Sequence, residues 1–199
     1  TMSTSKGAAA AKGVSVGSGN TVIICGSFSR TLVLGSHTLT TTSTNNQYST
    51  PFVAEYNYSN NAWNWATLIA NSYGDAYIDD CHSTSDGGAV VVGNTQSPLT
   101  FGSTTMQRTG NQAAFVAKVD TSGSWVWWNI ANSTGRYVMH LAQQDSIQDA
   151  NGTTYVVGSY WGIATFDNIS IQPVVPWFDS SGNTNQDIDI FVAAIDRNG

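Results

Sequence analysis

The chain is short of charge. Asp, Glu, Lys and Arg make up 10% of its 199 residues, against about 25% in an ordinary soluble domain. The seven Lys and Arg are scattered singly and the formal net charge is −6. No basic patch is present to neutralise a phosphate backbone, which excludes nucleic acid as a partner. No apolar run approaches the roughly 20 residues that a membrane-spanning helix needs. The opening TMSTSKGAAAAKG has no hydrophobic leader, so an exported form is expected to have lost its signal or to carry it outside this sequence. No stretch keeps a helical period, and AAAA at 8 to 11, the sole run of good helix formers, is too short to stand alone. With two cysteines, Cys25 and Cys81, a disulfide framework is excluded. Both sit in apolar, strand-like contexts and are expected as buried thiols, with a single bridge as the alternative.

Ser, Thr, Asn and Gly take the place of charge, beside seven Trp, eight Tyr and seven Phe. Disordered chains are poor in aromatics and rich in charge, the reverse of this one. Aromatic and β-branched residues in an uncharged polar background suggest an all-β protein exposed outside a cell. Asn57, Asn132, Asn151 and Asn168 each open an N-x-Ser/Thr acceptor triplet, but such matches arise by chance in so Asn-, Ser- and Thr-rich a chain.

Internal repetition organises the sequence. TVIICG, GAVVVG and TTYVVG end on Gly26, Gly93 and Gly158, which lie 67 and 65 residues apart. Leu34, Phe101 and Phe166 follow eight residues later in each copy, opening LGS, FGS and FDN. Next come FVAEYN (52 to 57), FVAKVD (115 to 120) and FVAAID (191 to 196). The first two run on into Trp63-Asn-Trp65 and Trp125-Val-Trp127, then into ANSYG and ANSTG, whereas the last meets Arg-Asn-Gly199. Runs rich in Val, Ile, Phe and Thr between Gly, Asn and Asp clusters read as strands. Asp120-Thr-Ser-Gly123 and Asp149-Ala-Asn-Gly152 read as tight hairpin turns.

The expectation is an all-β chain of three tandem units, approximately 5–70, 71–132 and 133–199, forming one repeat domain over residues 1–199. Each unit is expected to hold four antiparallel strands, on the scale of a propeller blade, and the last lacks its Trp strand. The units resemble the bacterial β-propeller repeat (SBBP-type) of surface and secreted proteins. Asp149, Gly152, Tyr155, Val156, Gly158, Phe166, Phe115, Val116, Ala117, Lys118, Asp120, Gly123 and Trp125 carry the resemblance, which covers almost the whole chain. It implies a propeller-like stack and brings no shared catalytic motif.

Chemical candidates are few. Gly13-Val-Ser15-Val-Gly17 fits a nucleophile elbow, but that motif needs a strand running into a helix, and here a turn and another strand follow. His37, His82 and His140 fall at non-equivalent repeat positions, without the close pairing of zinc ligands. Asp75, Asp79 and Asp80 form an acidic cluster that reads as loop capping, with calcium as the alternative. Trp pairs spaced by two are expected on one face of their strand, packed against a neighbouring unit. Trp161 and Trp177 break the repeat. Between Gly158 and Phe191 stand 32 residues, against 25 and 21 in the earlier copies. Insertions into repeats often carry recognition. Trp161, Trp177, Phe178, Asp179, Asp187 and Asp189 are therefore the candidate ligand-binding residues, and a glycan held by the loop at 173–190 is the alternative function.

The main expectation is a non-enzymatic structural or adhesive protein with no cofactor, located outside a cell, on a cell surface or on a virion. Propellers close with roughly four to eight blades, so three units stay open unless copies associate into a ring, fibre or tube. Phe191, Val192, Ala193, Ala194, Ile195 and Asp196 form the expected assembly edge. An unpaired strand recruits another, so a neighbouring chain, its arm at residues 1 to 12, or a continuation beyond Gly199 is expected to cover it.

Overall fold

The computed structural model describes residues 2–4, 7–43, 45, 47–110, 112–133, 145–161, 163–166, 169–171, 177–178, 184–185 and 188–199. Every regular element among them is a strand. The first eight are β1 (Met2–Thr4), β2 (Ala9–Val16), β3 (Thr21–Phe28), β4 (Thr31–Leu34), β5 (His37–Thr40), β6 (Thr50–Asn57), β7 (Ala62–Leu68) and β8 (Ala70–Asn71). Then come β9 (Ala76–Ser83), β10 (Ala89–Thr95), β11 (Leu99–Phe101), β12 (Thr104–Met106), β13 (Ala113–Val119) and β14 (Trp125–Ser133). The last are β15 (Asp145–Gln148), β16 (Thr154–Trp161), β17 (Ala164–Phe166), β18 (Ile169–Ile171), β19 (Trp177–Phe178), β20 (Thr184–Asn185) and β21 (Ile188–Ile195). Ala9 to Ala11, from the run of helix formers, lie in β2, where pairing with β3 overrides local propensity.

Three antiparallel sheets share one strand order: β2-β3-β6-β7; β9-β10-β13-β14, which continues through β17 and β18 into a six-stranded sheet; and β15-β16-β21. Each closing glycine stands opposite the phenylalanine of the FVA strand: Gly26 with Phe52, Gly93 with Phe115, Gly158 with Phe191. The glycine is required at least twice, because a Cβ on Gly26 or Gly93 would strike the carbonyl of Ala10 or Tyr77 on the neighbouring strand. Three small hairpins, β4-β5, β11-β12 and β17-β18, sit in the connections between the second and third strands of each sheet. They pair in turn with β1, β8 and the end of β14. No sheet is closed.

The Asp-x-x-Gly turns share one construction. The Asp120 carboxylate accepts from the amides of Ser122 (2.8 Å) and Ser124 (3.0 Å), and Gly123 supplies a φ of +79°. Asp149 does the same for Asn151 and Thr153, both at 2.9 Å. Asp196 accepts from Asn198 at 2.7 Å, and Gly199 (φ +97°) donates back to the Asp196 carbonyl at 3.1 Å. The last turn therefore has the form that leads from β13 into β14.

Apolar residues of successive sheets pack face to face. One cluster joins Ile23, Cys25, Val53 and Trp65 of the first sheet to Cys81, Val91, Phe115 and Ala117 of the second. Another joins Val90, Val92, Val116 and Trp127 of the second to Val156 and Phe191 of the third. A third lies under the β4-β5 hairpin, around Phe28, Leu32, Leu34 and Phe52.

Two expectations are corrected. Cys25 and Cys81 are buried but not free: they form a disulfide between β3 and β9, with Cα atoms 6.2 Å apart. And the tryptophans of each Trp-x-Trp pair lie on opposite faces. The register shifts by one between Glu55 and Tyr56 and between Lys118 and Val119, leaving Asn64 and Val126 as extra residues. A β-bulge of this kind reverses the side on which the next side chain emerges. Trp125 consequently packs with Trp128 in the cluster toward the first sheet, while Trp127 joins the cluster toward the third.

Candidate functional site

The acidic cluster is spent within the fold. Asp75 accepts from the Ser49 amide at 2.7 Å, and Asp79 accepts from the Asn94 side-chain amide at 2.9 Å. Burial raises the Asp79 pKa, against the pull of Asn94 and Lys12. Among the described residues no three His, Cys, Asp or Glu side chains converge on a cation position, so Asp75, Asp79 and Asp80 are not brought together as ligands. Ser15 stands in mid-strand and accepts from the Ser83 amide at 2.9 Å. It ties the first sheet to the second, and no helix follows it.

The candidate ligand residues are scattered. Trp161 ends β16 opposite Ile188; Trp177 and Phe178 form β19, paired with β20. Asp179, Asp187 and most of the loop at 173–190 lie outside the described residues. Asp189 is opposite Tyr160 on β21. Burial raises the Tyr160 pKa and the Asp189 charge raises it further.

The predicted edge is where the molecule departs from its own repeat. Strand β13 is buried along its whole length, whereas Ile190 and Val192 on β21 are 83% and 69% exposed. These two residues occupy the places of the buried Ala114 and Val116, by the shared Gly–Phe register. Ile147, Tyr155 and Val157 extend the exposed row across the third sheet. Phe191 itself is buried, and Asp196 belongs to the final turn. Strand β21 is hydrogen-bonded to β16 along one edge and, among the described residues, to no strand along the other.

Beside that edge opens a cleft of about 450 Å³, with Phe166, Ile169, Phe191, Ala193, Ile195 and Ala131 on its walls. The corresponding space at the second sheet is full. There Trp125 meets Phe101 edge-on at 5.2 Å, and Trp128 stacks on Phe101 at 5.1 Å with planes 2° apart. The Trp125 indole N–H donates to the Leu68 carbonyl at 3.2 Å. Phe101 is fully buried, and its counterpart Phe166 is half-buried against Phe191 at 4.9 Å. The sequence does not show how the two rings come together, because the bulge that sends Trp125 and Trp128 to the same side is silent in the polarity pattern.

No protein-family model matches this chain, and no curated protein matches it.

Proposed function

We propose that the protein is a non-enzymatic structural or adhesive β-repeat protein, built of propeller-type blades and exposed on a cell, virion or other extracellular surface, where copies associate end to end. One observation carries this reading. The outward side of the third sheet presents Ile147, Tyr155, Val157, Ile190 and Val192 to solvent, on the positions through which the second sheet packs against the third. A contiguous apolar face of this kind is a site of association. The opposite end is of the same character: Val14 and Val16 on β2 are exposed on the side of the first sheet turned away from the second, next to the β1-β4-β5 sheet that packs there. The outer face of the third sheet on the outer face of the first would repeat the contact already made twice within the chain. Such a head-to-tail contact closes into a ring or continues as a filament, according to its rotation. The resemblance to surface propeller repeats and the low charge agree with this role.

Sedimentation velocity with electron microscopy tests it. Rings or filaments are expected at micromolar concentration, abolished by Val192→Lys together with Ile190→Lys. A strictly monomeric wild-type protein would refute the proposal.

A further inference from the structure

The turn between the first two strands is built alike in all three sheets. The residue that opens it donates its amide to the carbonyl that closes it: Gly17 to Thr21, Thr84 to Gly88 and Asp149 to Thr153, each at 2.9 Å. The fourth residue of each turn has a positive φ, +66° at Asn20, +87° at Gly87 and +89° at Gly152. The third residue is Gly19, Asp86 or Asn151, and here the turns differ in chemistry. Gly19 has no side chain. The Asp86 carboxylate is tied to the Lys118 ammonium and accepts from the Thr84 hydroxyl and the Gly88 amide. Asn151 is exposed, and among the described residues its side-chain carboxamide has no hydrogen-bond partner.

We infer that Asn151 is a site of spontaneous covalent modification, where the side chain cyclises onto the Gly152 nitrogen and the turn converts with time to aspartate and isoaspartate. The step needs only the chain and water. The Gly152 amide nitrogen loses its proton to solvent and attacks Asn151 Cγ. The Cγ–N bond of the carboxamide breaks, and its nitrogen leaves as ammonia, closing a cyclic imide. Water then adds to one of the two ring carbonyls. Opening at the side-chain carbonyl restores the main chain as aspartate. Opening at the main-chain carbonyl leaves isoaspartate, whose backbone runs through the side chain and is one methylene longer.

The turn suits this reaction. Gly152 has no Cβ to obstruct approach to its nitrogen, and its N–H is held by one bond, to the Asp149 carbonyl at 3.1 Å. On an exposed turn such a bond opens at little cost. Asn198-Gly199 is the other Asn-Gly pair, but that glycine is seated on Trp127, 2.6 Å from where its Cβ would stand, so Asn151 reacts first. The product has a structural consequence. An aspartate at 151 repeats Asp86, yet the register puts Ala194 where Lys118 stands, and the new charge stays unpaired. Isoaspartate does more. The Asp149 carboxylate spans the amides of Asn151 and Thr153, both at 2.9 Å, and a longer backbone between them cannot keep both bonds. That loosens β15, whose Ser146 hydroxyl is bonded to His82 of the second sheet at 3.0 Å. Asn151 is thus a chemical clock on the contact between the second and third sheets.

The full chain, aged in warm and mildly alkaline buffer, is followed by peptide mapping and by labelling with an isoaspartyl methyltransferase. The peptide that contains Asn151 should gain about 1 Da, the difference between carboxamide and carboxylate, before the peptide that contains Asn198, and should take the isoaspartyl label. Amides of β15 and β16 should exchange about tenfold faster in the aged protein than in the fresh one. Asn151→Ser should stop both changes, and Asn151→Gln serves as the control if serine alters the turn. Conversion of Asn151 in urea but not in the folded chain would overturn the proposal, as would modification led by another asparagine. Isoaspartate at 151 with unchanged exchange in β15 and β16 would overturn the clock.

Discussion

Strands β13 and β21 share the letters Phe-Val-Ala, the same partner glycine in register and the same Asp-led turn at their ends. One is buried at every residue and the other exposes Ile190 and Val192 to water. The difference is made by what stands next to them. Strand β13 has β14 along its edge and apolar clusters on both faces. Strand β21 has a clustered face toward the second sheet, an open face on the other side and no strand beyond its edge among the described residues. Burial in this architecture is thus a property of position in the series of sheets more than of the strand's own sequence.

That contrast is sharpest at matched positions. Val116→Asp is expected to cost about 4 kcal/mol, since it places a carboxylate in the packed contact between sheets. Val192→Asp, at the equivalent exposed place, should stay within about 0.5 kcal/mol. Urea denaturation of the two variants measures this, and similar losses would remove the contrast. Next in size is the ring that anchors each small hairpin. Phe101→Ala empties a site surrounded by Phe115, Trp125 and Trp128 and should cost about 3 kcal/mol or more. Phe166→Ala, beside the open cleft, should cost about 1 kcal/mol, because fewer partner atoms are lost.

Much of this arrangement is legible in the letters, for reasons that are physical. The closing glycines are visible because a side chain at Gly26 or Gly93 would strike a neighbouring carbonyl. The turns are visible because Asp120, Asp149 and Asp196 must accept backbone amides. The bulges at Asn64 and Val126 are not, since Trp-x-Trp reads as one face whenever the strand is regular. Repeated ANS segments also mislead by one position. Leu68 and Ile130 are the equivalent residues, opposite Phe52 and Phe115, so Asn71 of the first ANS answers to Ser133 of the second. The bridge between Cys25 and Cys81 was hidden by distance, because residues 56 apart in sequence meet only when two sheets pack.

The disulfide offers a third break in the comparison. It pins the first sheet to the second, whereas the second and third meet, among the described residues, through apolar packing, the Ser146–His82 side-chain hydrogen bond at 3.0 Å and the pairing of β14 with β17, without a disulfide. Reduction, or Cys25→Ala with Cys81→Ala, should lower stability by roughly 2–4 kcal/mol, the usual range for a protein disulfide. Thermal unfolding with and without reductant reads it out. A change that moved only the signals of the third sheet in hydrogen exchange would contradict the assignment.

The smallest effect concerns charge on the same pair of strands. Lys118 on β13 is buried and meets Asp86 at 2.5 Å, whereas β21 has Ala194 in its place. Burial tends to raise the Asp86 pKa, but the Lys118 ammonium, the Thr84 hydroxyl and the Gly88 amide outweigh it and hold the carboxyl below its ordinary value. A carboxylate depressed in the folded state adds stability that is complete above its unfolded pKa, about 4, and is lost as pH falls through the lower folded value. Asp86 is largely exposed, so solvent screening limits the gain to about 0.5 kcal/mol. Between pH 6 and pH 3 the wild-type protein should therefore lose slightly more stability than Asp86→Asn in matched urea titrations, and 0.5 M salt should shrink the gap. Identical slopes in the two proteins would mean that Lys118 is held by packing of its methylene stem rather than by its partner's charge.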